Sequence, residues 1–122
     1  MPRNMSCAMT TQQVIDETKD VTRRFGWWFL KPGDQLWLVE KAMGLQKGEK
    51  INRLKLVEVV STQPEPLDAI TQEDVIREGF PDWTPQRFVQ MLVDHYKIDP
   101  TKICNRIEFK YLTVRREDGS ND

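Results

Sequence analysis

A chain of 122 residues can enclose one hydrophobic core but not two, so a single domain over residues 1–122 is expected. Its 39% hydrophobic and 30% charged residues are ordinary for a globular protein, and no window approaches the roughly 18 apolar residues of a membrane span. The net charge is −1, yet nine bases face four acids from Lys19 to Lys55, and nine acids face three bases from Glu58 to Asp99. Such an asymmetry can draw a polyanion to one face, although part of it is also what a solvated hairpin surface would carry. No apolar run follows Met1-Pro2-Arg3, so no signal peptide is expected and the chain reads as cytoplasmic, with no membrane partner. Cys7 and Cys104 belong to no CxxC or Cys/His cluster, so they read as core thiols; no metal and no cofactor are expected. His95 is the only histidine, which argues against a Ser-His-Asp triad.

Residues 1–4 read as a loose end and Ser6–Met9 as a short first strand, which sets the start of the core near residue 5. Thr10-x-x-Gln13 has capping-box spacing and predicts a helix over about 11–18, with Val14 and Ile15 on its buried side. The apolar run Phe25–Leu30 leads to Lys31-Pro32-Gly33-Asp34, a turn in which proline presets φ and glycine supplies φ > 0. Gln35–Glu40 and Ile51–Val60 predict a long hairpin with a basic tip at Gly44–Lys50, ended by Gln63-Pro64-Glu65-Pro66. Thr71-x-x-Asp74 opens a helix over 72–77 that Gly79-Phe80-Pro81 stops. Thr84-Pro85 opens a second helix, which packs through Phe88, Met91, Leu92 and Tyr96 and closes at Asp99-Pro100. Ile103–Val114 is the clearest strand, with Ile103, Asn105, Ile107, Phe109 and Tyr111 on one face. The core then ends near residue 114, and 115–122 form a polar tail. The strands do not alternate with helices as in a parallel α/β protein, which suits an α+β fold: a small, curved, mostly antiparallel sheet or barrel flanked by short helices.

Three groups of residues can carry chemistry. Lys19, Arg23 and Arg24 make a compact cationic site, and the planar fork of a guanidinium suits phosphate. Its plain alternative is a surface turn with loose ion pairs. Trp27 and Trp28 can stack a base, worth about 1–3 kcal/mol per base, although at least one of them is expected in the core. Glu78, at the end of a short helix and before a forced turn, is able to project into a cleft. Asp94 and His95 are adjacent on a helix and point in different directions, so they are not read as an acid/base pair.

Taken in order, Lys19-x-x-Thr22-x-Arg24, Lys31-Pro32-Gly33-Asp34, Arg77-Glu78-Gly79-Phe80-Pro81, Thr84-Pro85-x-x-Phe88-Val89-x-Met91 and Ile107-Glu108-Phe109-x-Tyr111-Leu112 resemble the ASCH domain of the PUA-like superfamily, especially its short stand-alone phage and bacterial forms. The resemblance spans about residues 6–114 and implies a small PUA-like β-barrel with flanking helices, acting in a bacterial or phage-infected cell. The family signature G-x-K-x-x-E-x-R is matched at Lys19 and Arg24, while Glu17 stands for the glycine and Thr22 for the glutamate. One branch with K-x-x-T at this position acts as an N4-acetylcytidine amidohydrolase. It implies Lys19, Thr22 and Glu78 as a catalytic trio: Lys19 the base, Thr22 the hydroxyl nucleophile and Glu78 the proton shuttle.

Four readings follow. The first is a binding module for RNA, DNA or a modified nucleoside, with Arg23 and Arg24 on phosphate and Trp27 or Trp28 on a base. The second is an amidohydrolase of modified nucleosides. The third is an RNA-cleaving nuclease, for which no metal-site pattern is visible, and the fourth a non-catalytic interaction protein.

Overall fold

The computed structural model describes residues 2–41 and 51–113. The predicted basic tip at 44–50, Val114 and the polar tail lie outside them. Five strands, β1 (Arg3–Ser6), β2 (Val21–Arg24), β3 (Gln35–Val39), β4 (Arg53–Pro66) and β5 (Ile103–Tyr111), form one sheet in the order β1-β3-β4-β5-β2. Only β1 and β3 pair in parallel; the other pairs are antiparallel. Helices α1 (Thr11–Ile15), α2 (Gln72–Arg77) and α3 (Pro85–Tyr96) complete an α+β half-barrel.

One apolar cluster lines the sheet, with Met5, Val14, Leu36, Leu38, Val57, Val59, Ile107 and Phe109 among its members. A second joins Leu67, Ile70, Val75, Phe88 and Leu92 beneath α2 and α3. The helix starts follow their caps. Thr71 accepts from Asp74 N (3.2 Å) and Thr84 from Arg87 N (3.1 Å), with Pro85 opening α3. The turn at 31–34 forms as expected: Asp34 N donates to Lys31 O (3.1 Å) and Gly33 takes φ +96°.

Several elements depart from the expected pattern. The first strand lies at Arg3–Ser6, earlier than Ser6–Met9, because its register is set by parallel pairing to Leu36–Val39. The capping box does not form: Thr10 makes no side-chain cap bond, and Gln13 reaches across to Gly79 O (3.2 Å) instead. Helix α1 stops at Ile15, which is exposed, leaving Val14 as its buried residue. Strand β4 runs past the expected Val60, through Pro64, and ends at Pro66. Beyond Glu58 its β3 neighbour is gone, and prolines two apart withhold N–H groups from that same vacated edge. On β5, Asn105, Ile107 and Phe109 are buried as expected, but Ile103 is exposed. Both cysteines are buried free thiols, and burial pushes Cys104 up to about 11.

The segment 18–24, for which a surface turn was the plain alternative to a cationic site, becomes an edge strand from Val21 onward. Register places Arg23 opposite Arg106, a repulsive pair if left alone. Asp74 of α2 removes the conflict. It accepts from Arg106 Nε (2.7 Å) and Nη2 (3.0 Å), and from Arg23 Nη2 (2.6 Å). This carboxylate ties the helix to two strands at once. Arg106 and Arg23 together hold Asp74 at about 2, below its ordinary 3.8. A depressed folded value adds stability that is present above pH 3.8 and lost as pH falls toward 2, about 1–2 kcal/mol after allowance for solvent screening. Urea unfolding at stepped pH is therefore expected to show stability falling between these values. In Asp74→Asn the protein is less stable at neutral pH and this part of the pH dependence flattens. Equal slopes for both proteins would rule out Asp74 as the titrating link.

Candidate functional site

Residues 16–24 and the end of α2 are locked together by the backbone. Asp20 N donates to Arg77 O (2.9 Å), and the Arg77 side chain returns to both Asp20 carboxylate oxygens (3.0 and 3.2 Å) and to Glu108 (3.0 Å). The Tyr111 hydroxyl donates to Lys19 O. Glu17 sits at φ +58°, in the left-handed region that costs a side-chain-bearing residue about 1–2 kcal/mol. Gly79 takes φ +103°, and a Cβ there would stand 2.7 Å from Gln13 Cγ. Glycine is thus required twice over at the residue that follows Glu78.

These constraints aim Lys19 and Glu78 at each other. Lys19 is 3% exposed and Glu78 2%. Lys19 Nζ donates to Glu78 Oε1 (2.7 Å) and to Glu78 O (3.1 Å). The other carboxylate oxygen, Oε2, accepts from Arg23 Nη1 at 3.4 Å. Together with Thr22 they line a partly enclosed cleft of about 320 Å³. Phe80, Phe88, Met91 and Leu92 form an apolar wall, and His95 and Tyr96 line it as well. Such a lining, mostly apolar with a few converging polar groups, is the usual makeup of a small-molecule site.

Each residue singled out in the sequence has a distinct position. Lys19, Thr22 and Glu78 share the cleft, but no hydrogen bond joins Lys19 to Thr22. The Thr22 hydroxyl accepts from Arg24 Nε (3.0 Å), and the protons of Lys19 go to Glu78. Arg23 does not stand free for a phosphate. Its guanidinium is fully covered, with Nη2 donating to Glu65 (2.5 Å) and Asp74 (2.6 Å). Burial works against its charge, but Asp74, Glu78 and Glu65 outweigh that and raise its pKa. Only its Nε, also buried, lacks an acceptor.

Arg24 differs. It lines the enclosed cleft and a second, open groove of about 820 Å³, and no carboxylate among the described residues pairs with it. Its Nη2 touches Cys7 Sγ at 3.5 Å. Trp27 lines the open groove, whereas Trp28, 53% exposed, lines neither. Asp94 accepts from Gln90 one turn back (2.8 Å) while His95 lines the cleft, so the two do diverge.

Sequence reasoning passed over Glu65, Asp74 and Arg106, and the apolar wall as a wall. Asp74 was visible only as a helix cap, because a cap position says nothing of where the carboxylate turns. Phe88, Met91 and Leu92 carried the signal of a core face, and that face covers the cleft as well as the second cluster. Among the described residues no group of His, Cys, Asp and Glu is arranged to hold a metal ion, and no helix is long and apolar enough to cross a membrane.

No family model matches the sequence, and no curated protein matches it. Solved structures do match the fold. An ASCH domain from Lactobacillus crispatus superposes with a TM-score of 0.67 at 11% identity, covering 89% of this chain and 78% of that one. A protein of the DUF984 family from Enterococcus faecalis superposes with a TM-score of 0.60 at 13% identity, covering 92% of this chain and 76% of that one. The curled five-stranded sheet with its short helices is an α+β fold that matches the fold of that ASCH domain.

Proposed function

We propose that the chain binds RNA, DNA or a modified nucleoside, taking one nucleoside into the enclosed cleft with a phosphate at Arg24. The observation that carries this reading is the contrast among the arginines. Arg23, Arg77 and Arg106 are each paired to carboxylates, while Arg24 presents a guanidinium at the junction of cleft and groove with none. A guanidinium left uncompensated at a cleft mouth favours an anion. A volume of about 320 Å³ suits a single nucleoside. Its apolar wall offers a face for a base, and Lys19, Thr22 and Glu78 offer donors and acceptors for a base edge. The ASCH fold of the neighbour supports this class of ligand by analogy of fold.

Binding of a labelled single-stranded oligonucleotide, followed by fluorescence anisotropy across a salt series, is expected to weaken as salt rises. Arg24→Gln should bind more weakly and lower the log–log salt slope by about 0.7, the share of one single-strand phosphate. Arg87→Gln, on the exposed Arg87 that stacks over Trp83, should match wild type. Absence of binding at low salt, or equal binding by Arg24→Gln, contradicts the reading.

A second reading, hydrolysis of an N4-acetylcytidine-like amide, is favoured by the convergence of Lys19, Thr22 and Glu78 on one cleft. It requires a rearrangement that brings a base to the Thr22 hydroxyl, since Lys19 and Arg24 are engaged elsewhere. Acetate release from N4-acetylcytidine by wild type, lost in Lys19→Ala with the fold intact, is the expected result. No release above background removes this reading.

A further inference from the structure

The open groove begins where the enclosed cleft ends. Arg23, Arg24 and Tyr96 line both, so the two share a wall. From Arg24 the groove passes Trp27 and Phe29 to Arg3 on the edge strand β1. Trp27 and Phe29 lie with ring centroids 5.6 Å apart, and the Arg3 guanidinium sits 4.8 Å from the centre of the Phe29 ring. Phe29 is 56% exposed, a large apolar ring left in solvent. No carboxylate lines the groove among the described residues, and Arg3 and Arg24 bear no described ion pair. Two further groups here lack partners: the buried Nε of Arg23 and the buried Oδ1 of Asn4.

Cations spaced along a groove with aromatic rings between them suit a strand whose phosphates alternate with stacking bases. A duplex keeps its bases stacked on one another and offers none to Trp27 or Phe29. A free nucleoside would fill the enclosed cleft and leave the groove unused. An acidic peptide would meet the cations but would leave the rings without planar partners.

Resting on the nucleotide reading of the enclosed cleft, we infer that the ligand is a single strand. One nucleotide enters the enclosed cleft, and its neighbour lies in the open groove, base against Phe29 and Trp27 and phosphate toward Arg3. The occupant of the groove is therefore a continuation of the same polynucleotide.

The test compares a 5′-mononucleotide, a trinucleotide and a short duplex of the same sequence by isothermal titration at low salt. The trinucleotide is expected to bind at least about tenfold more tightly than the mononucleotide, the gain of one stacked base. Phe29→Ser and Arg3→Gln, both exposed positions, should erase most of that gain while leaving mononucleotide affinity unchanged. Equal affinity for mononucleotide and trinucleotide overturns the inference and leaves the nucleotide reading of the enclosed cleft standing, as does a trinucleotide gain that survives both substitutions. Tighter binding of the duplex than of the trinucleotide also overturns it. Failure of all three ligands to bind defeats the nucleotide reading itself.

Discussion

The site depends on one buried carboxylate. Glu78 neutralises Lys19 through one oxygen and approaches Arg23 through the other, all three being nearly inaccessible to solvent. Taking these charges from water is costly, and the pairing repays that cost only while the geometry holds. The geometry is fixed from outside the network. Gly79 turns the chain where no side chain fits, Glu17 accepts a left-handed backbone, and the Arg77–Asp20 pair clamps the two segments. Stability and site are therefore the same set of contacts, since the residues that close the sheet against α2 are those that form one wall of the cleft.

This arrangement also sorts the basic residues of the sequence. Clustered bases suggested a cationic patch, but two of them, Lys19 and Arg23, are buried against carboxylates. Arg23 is consumed by Glu65, Asp74 and Glu78, and Arg106 by Asp74. Three acids of the second half, Glu65, Asp74 and Glu78, are partners in space of Lys19 and Arg23 of the first. Of the arginines that line the cleft and the groove, Arg24 and Arg3 carry no described ion pair.

Much of the fold was legible because its signals are local. The caps at Thr71 and Thr84, the Pro32-Gly33 turn and the alternation of Asn105, Ile107 and Phe109 each depend on a few neighbouring residues. Elements set by distant partners were not. Arg3–Ser6 becomes a strand because Leu36–Val39 lies beside it, and Val21–Arg24 because β5 offers an edge. A polar stretch such as Thr22-Arg23-Arg24 has no apolar alternation to betray it. Gln13 was misread for the same reason, since its partner, Gly79 O, lies 66 residues away. At the site, Lys19, Thr22 and Glu78 could be singled out together only through the resemblance to the K-x-x-T branch of the ASCH family. The burial of Arg23 and the freedom of Arg24 could not, because adjacent arginines look alike until a strand sends them to opposite faces.

Binding of a nucleotide in the cleft between β2, the end of α2 and α3 can be followed by amide and arginine Nε–H chemical shifts during titration with a mononucleotide. Saturable changes are expected at Thr22, Arg24, Glu78, Phe88 and Met91, with the Arg24 Nε–H resonance among the most affected. Changes confined to another face of the molecule, or none at saturating ligand, would contradict it.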